Sequence, residues 1–215
     1  MSFPQYLASR WPTLLGEAIA HANIVVLSML IATLLGVGVG VLTFRRPAAS
    51  QTAIGVAGAV LTIPSIALLG LLIPLLGLGY QPTLVALVLY ALLPIIRNTV
   101  AGLRGVDPAL VEAARGMGMG TTRRLLRVEL PLAWPVIVAG IRVSTQLIVG
   151  IAAIAAYVAG PGLGNDIFDG LSRMGSANAI NLALGGTLGV IVLALLFDAA
   201  LLVVGRLTTP RGIRV

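Results

Sequence analysis

The chain has 215 residues, 58% of them hydrophobic and only 10% charged, with a mean hydropathy of +1.05 and a net charge of +7. A soluble domain carries about 25% charged residues, so composition alone places this chain among membrane proteins. It has no cysteine and one histidine, His21, which excludes a disulfide framework, a thiolate or multi-histidine metal site and a cysteine nucleophile.

The first residues lack a basic region followed by an apolar core, so no cleavable signal is expected. Residues 1–21, with Trp11 as an aromatic anchor, read as a short helix lying on the outer membrane surface. His21 reads as an interfacial residue with no catalytic role. A bilayer core about 30 Å thick needs about 20 apolar residues as helix. Five stretches meet that length: Ala22 to Phe44, Ala53 to Leu76, Thr83 to Val100, Ala133 to Val158 and Leu182 to Val204. Each is too long and too uniformly apolar for a barrel strand, and backbone amides in lipid must be satisfied within the segment. The expected fold is an all-α polytopic bundle of about five transmembrane helices. It divides into a surface segment 1–21, a membrane domain 22–206 and a tail 207–215. Gly36 with Gly40, and Gly185 with Gly189, have the spacing of close helix contacts.

Every positive charge is an arginine, and arginines mark alternate connections. Arg45 and Arg46 follow the first span. Arg104, Arg115, Arg123, Arg124 and Arg127 lie between the third and fourth. Arg206, Arg211 and Arg214 follow the fifth. The connection near Gly77 to Pro82 has no charge, and Arg173 is offset by Asp166 and Asp169. The positive-inside rule then predicts an outer N-terminus and a cytoplasmic C-terminus. Five spans keep this parity.

The cytoplasmic loop 106–131 differs from the other connections. Asp107 and Pro108 form a helix start, an N-cap oxygen followed by a residue whose missing amide costs nothing there. Strong helix formers run to Arg115. Gly116, Gly118 and Gly120 end that helix and permit a tight turn. Thr121 or Thr122 then caps a second helix bearing Arg123, Arg124 and Arg127, and Pro131 and Pro135 mark the start of the fourth span. A short helix of small residues, Glu112-Ala113-Ala114, can sit deep in a groove of another protein. Loops of this length are usually functional or disordered, and this one has helix signals.

Glu112, Ala113, Ala114, Gly118, Val128, Leu130 and Pro131 stand at the spacing of the EAA motif, and the loop resembles that of ABC importer membrane subunits. The stretches LTIPSIALLGLLIPLLGLG, LVLYALLPIIRNTVAGLRGVDPALVEAARGMGM, VAGIR and AGPGLGNDIFDGL further resemble importer subunits for quaternary amines such as glycine betaine, choline and proline betaine. The resemblance covers the chain from His21 onward. It is looser over Ser144 to Ala156, where Gln146, Leu147 and Val149 replace the family's usual Trp and Thr. It implies a type I ABC importer permease in the prokaryotic cell membrane. Glu112, Ala113, Ala114, Arg115, Gly116 and Gly118 would dock into an ATPase subunit, supported by Asp107, Pro108, Leu130 and Pro131. The implied partners are ABC ATPase subunits that bind ATP and Mg, a second permease subunit and an extracytoplasmic substrate-binding protein. This chain has no Gly-rich phosphate loop and is not expected to be an enzyme, to hold a metal or cofactor, or to bind nucleic acid.

Polar groups within the spans complete the candidates. Asp198 and Arg142 fall at similar depth in the inner half, which predicts an interhelical ion pair, with Arg97 as the alternative partner. Pro64 and Ser65, with Pro74, bend the second span, and Ser144, Thr145 and Gln146 are the most polar run of the fourth. Each set either lines a path or serves packing. Asp166 and Asp169 attract a cationic substrate or partner, or Asp166 caps a short helix in a solvated loop. Tyr80, Tyr90 and Tyr157 offer cation–π faces or packing. The alternatives are a methionine-type ABC importer permease, an ion-coupled secondary transporter or channel, and a structural anchor. The last two leave the loop 106–131 without a task.

Overall fold

A computed structural model describes residues 2–209. Among them, helices α1 (Phe3–Thr43), α4 (Tyr80–Arg104), α7 (Leu130–Ile154) and α9 (Ala179–Thr208) are long and apolar enough to cross a membrane. A fifth crossing is made by a bent pair, α2 (Pro47–Thr62) and α3 (Ser65–Leu76), which meet at 96°.

The two central spans are α4 and α7, packed antiparallel. Small residues set their separation. A Cβ on Gly140 would lie 2.6 Å from Asn98 Cβ, and one on Gly102 would lie 3.0 Å from Ala133 O. At such approach Ser144 Oγ donates to Ala91 O across the helix pair at 2.8 Å. Helix α1 lies parallel to α4, with Gly36 against Ile95 and Gly40 against Thr99. Gly185 on α9 meets Tyr6 of α1, and Gly189 meets Leu163. The spaced glycines thus face defined partners within the chain.

Several contacts fix which helix ends lie together. At one end, Arg104 Nε donates to Phe44 O at 2.8 Å, Arg45 meets Glu129, and Trp134 Nε1 donates to Thr208 Oγ1 at 2.7 Å. At the other, Gly79 N donates to Val158 O at 2.8 Å, and Arg10 meets Asp166. The pair α2–α3 therefore starts at one end of α7 and finishes at the other, and counts as one crossing of five.

The bend is sharper than the proline kink the sequence predicts. Pro64 has no N–H and forces Ile63 out of helical geometry, to φ −70° and ψ 127°. Ile63 O is left without a helical donor, and Tyr90 Oη donates to it at 2.6 Å. Tyr90 is buried, so it closes the break rather than offering a cation face.

The N-terminal segment also differs from expectation. Residues 3–21 are not a separate surface helix but the first turns of α1. At 1.5 Å per residue α1 is about 62 Å long, twice the hydrocarbon thickness. The polar residues before Ala22 end the apolar stretch without ending the helix. His21 is fully buried, not interfacial, and its Nε2 donates to Val149 O at 3.1 Å. The tail 207–215 begins inside α9, which continues to Thr208; Arg211 and Arg214 lie outside the described residues.

Besides Arg45–Glu129, two ion pairs tie distant elements. Asp198 on α9 accepts from Arg142 Nη2 at 2.8 Å and Nε at 3.1 Å, and from Gln146 Nε2 at 2.9 Å. Arg97 is exposed and is not its partner. Asp166, on α8 (Gly164–Ser172), is 2% exposed and accepts from Arg10 Nη2 at 2.8 Å. It is therefore a buried anchor for α1, not a cap in a solvated loop; Asp169 is exposed beside Arg173. Burial pushes the Asp166 carboxyl upward, against the opposing pull of Arg10.

These contacts set three expectations. Gly40→Val drives a side chain into Thr99 and should cost about 1–3 kcal/mol, read as a lower melting temperature in detergent. Asp198→Asn should cost roughly 1–3 kcal/mol, while Asp169→Asn on the surface changes little. A raised folded-state pKa makes ionised Asp166 a burden that grows as pH rises, and Arg10 offsets it. Arg10→Gln should thus destabilise more at about pH 8 than at about pH 5, by about 1 kcal/mol after allowing for the screening of its partly exposed guanidinium.

Candidate functional site

The connection between the central spans, α4 to α7, is built around α5 (Pro108–Gly116). Asp107 Oδ1 accepts from Ala109 N at 2.8 Å, so the N-cap forms as the sequence predicts. The helix ends at Gly116, and Gly118 turns the chain with φ +77°, a conformation that glycine adopts without a Cβ clash.

Helix α5 presents one face outward. Leu110, Glu112, Ala113, Arg115, Gly116 and Met117 are exposed, whereas Ala114 is buried against the rest of the loop. Glu112 Oε1 accepts from Arg115 Nη1 at 3.0 Å, both side chains about two-thirds exposed. Such a surface pair contributes little to stability. It leaves the small residues Ala113 and Gly116 exposed beside two charged side chains.

The second half of the loop departs from the expected separate helix. α6 (Thr121–Arg124) has Gly120, not a threonine, at its N-cap, with no side-chain cap. It runs without a break through a π-helical turn, Leu125–Glu129, into α7. Leu130 N donates to Leu125 O, five residues back. Pro131, which has no N–H to give, follows directly, so the ladder changes register where a donor is already missing. The helix bearing the arginines is thus the extended start of a span.

Glu129 is 3% exposed at the end of this π turn. Its carboxylate accepts from Arg124 Nε at 2.8 Å, and from Arg45 Nη2 at 2.9 Å and 3.1 Å. Nearby, Arg104 donates to Phe44 O and to Ser50 Oγ at 2.7 Å. The junctions α1–α2, α4–α5 and α6–α7 are therefore cross-linked at one end of the bundle. Sequence reasoning did not single out Glu129 or its partnership with Arg45. The available signal was one acidic residue among Arg123, Arg124 and Arg127.

The candidate path residues are not brought together. Ser144 is buried and spent on Ala91 O. Thr145 is 3% exposed, donates to Ile141 O and borders an apolar crevice of about 670 Å³ between α1, α7 and α9. Gln146 is exposed and serves Asp198. Pro64 and Ser65 stand at the α2–α3 corner, Pro64 exposed and Ser65 half-buried. Tyr80 and Tyr157 are exposed, and the Tyr157 ring lies 6.1 Å from Phe168. Among the described residues no group of acidic or histidine side chains is arranged to hold a metal ion.

Residues 32–209 match the family model described as "binding-protein-dependent transport system inner membrane component". The chain is 40% identical to the choline transport system permease protein OpuBB of Bacillus subtilis over 210 residues, covering 98% of this chain and 95% of that protein. It is 38% identical to the glycine betaine/carnitine/choline transport system permease protein OpuCB of the same organism, covering 97% and 94%. To the osmoprotectant import permease protein OsmW of Salmonella typhimurium it is 41% identical, covering 90% and 91%. Among solved structures, a chain of the methionine ABC transporter MetNI in an inward-facing conformation superposes with a TM-score of 0.80 at 24% identity, covering 98% of this chain and all of that one. That likeness establishes the fold. The extent of the family match and the similarity to these permeases along nearly the whole chain make it a member of the family of binding-protein-dependent inner-membrane transport components, the permease subunit of an ABC importer.

Proposed function

We propose that this chain forms half of the substrate path of an importer for quaternary amines and couples that path to ATP hydrolysis on a partner subunit. The observation that carries the coupling role is the outward face of α5, a capped helix of small residues on the loop that joins α4 and α7. Glu112, Ala113, Arg115, Gly116 and Gly118 dock into the ATPase subunit, while Ala114, which the sequence placed among them, is buried and seats the helix on the loop behind. Asp107 and Pro108 start the docking helix, and Leu130 and Pro131 lead its loop into α7. ATP and Mg are bound by the ATPase, and this chain performs no covalent chemistry.

The arginine-rich end of the bundle faces the cytoplasm, which puts the N-terminus outside and α5 within reach of the ATPase. A second permease subunit, identical or homologous, completes the path. A substrate-binding protein delivers substrate at the end where Asp166 and Tyr157 lie. The substrate class rests on the relatives whose names give choline, glycine betaine and carnitine at about 40% identity. The methionine reading has in its favour the MetNI likeness, which at 24% identity speaks to the fold.

ATP-driven uptake of labelled glycine betaine into proteoliposomes holding this chain, its ATPase and its binding protein tests both parts. Choline and carnitine should compete and methionine should not. Glu112→Arg places a cation in the docking groove and should lower uptake by about tenfold or more, with loss of ATPase co-purification. Competition by methionine alone would overturn the substrate class. Uptake driven by an ion gradient without ATP would overturn the coupling role.

A further inference from the structure

The Glu129 cluster has a geometry that covalent continuity of the loop does not require. On an α-helix at 100° per residue, side chains five apart point about 140° away from each other. The π turn winds Leu125–Glu129 more slowly, and this brings Arg124 and Glu129 to the same side, 2.8 Å apart. The turn therefore builds a carboxylate–guanidinium pair on the loop itself. The open side of that carboxylate is taken by Arg45, 84 residues away at the end of α1. The guanidinium of Arg45 also lies 5.0 Å from the centre of the Phe44 ring, and Phe44 O is held by Arg104. Charged hydrogen bonds thus join the loop to the α1 end at one buried carboxylate, and the α1 end to the α4 end through Phe44 O.

Arg124 is only 10% exposed, and two guanidinium groups converge on Glu129. Separating Arg45 from this centre strips a buried carboxylate of one of its two cations, which resists any motion that would part the loop from α1. Helix α7 needs no such link, because it is the continuation of α6. The link therefore serves α1.

We propose that Glu129 is a positioning residue that locks the coupling loop to the inner end of α1, so that displacement of α5 moves α1 and α7 together. This rests on the coupling role assigned to α5 above. Force entering at Glu112 then reaches the bundle along two helices, one continuous with the loop and one fastened to it by Arg45.

The absence of cysteine in the sequence makes the test direct. Leu42→Cys on α1 and Leu126→Cys on the loop are 80% and 59% exposed and accept spin labels. The label-to-label distance distribution is measured by pulsed electron resonance in the full chain alone, and in the complex with its ATPase with and without trapped nucleotide. In the native background the distance should stay within about 2 Å between the nucleotide states. Glu129→Gln should broaden it in the chain alone and make it nucleotide-dependent in the complex. Arg45→Gln, which leaves the Arg124 pair in place and the loop folded, should do the same and lower uptake per ATP hydrolysed about fivefold or more. A native distance that shifts with nucleotide, or an Arg45→Gln distribution and uptake ratio equal to the native ones, would overturn the proposal. If the native complex shows no ATP-driven uptake, the proposed function fails on its own, and the distances in the isolated chain still decide whether the joint exists.

Discussion

The close approach of α4 and α7 is the contact on which the rest of the bundle depends. In lipid, helices gain little from excluding water between them, so association rests on van der Waals contact and interhelical hydrogen bonds. Gly102 and Gly140 allow the backbones to approach, and Ser144 reaches Ala91 O across the gap. Helix α1 then lays Gly36 and Gly40 against the adjoining face of α4. The loop bearing α5 is the connection between these same two central spans. A partner that grips α5 therefore holds the covalent link between the two helices that the others pack around, not a peripheral strand of chain.

Three acidic residues of this bundle are each spent on specific neighbours. Asp198 is shared by Arg142 and Gln146. Glu129 is shared by Arg45 and Arg124, and Asp166 is taken by Arg10. Each acid fastens elements that are far apart in sequence, and the three stand at different levels of the bundle. The side chains that the sequence offers as path linings are mostly consumed in this way. Exposed apolar and aromatic side chains remain as surface that is not consumed.

What was legible in the sequence follows from what is local. The spans could be read because about 20 apolar residues in succession have one solution in a bilayer. Helix α5 could be read because Asp107, Pro108 and Gly118 act within a few residues of themselves. The Arg142–Asp198 pair could be read because depth in a span can be counted from its end. The angle at Pro64 could not be read: a proline announces a break, but Tyr90, on another helix, holds the resulting corner. The continuity of α1 was hidden because polarity before Ala22 marks the edge of the apolar stretch and says nothing about where helical geometry stops. Glu129 escaped because α-helical periodicity points it away from Arg124, and only the π turn reverses that.

The corner between α2 and α3 has a mechanical consequence. Along an ordinary helix, a change of direction breaks several ladder bonds at once. Here the ladder is already interrupted, and a single phenolic hydroxyl, Tyr90 Oη, pins Ile63 O. Rotation about Ile63 would swing the twelve residues of α3, breaking that bond, unpacking buried Leu68 and Leu69 and parting Gly79 from Val158. The second crossing is in effect a jointed arm, and the residue that closes its joint sits on α4, the helix that leads directly into the loop bearing α5.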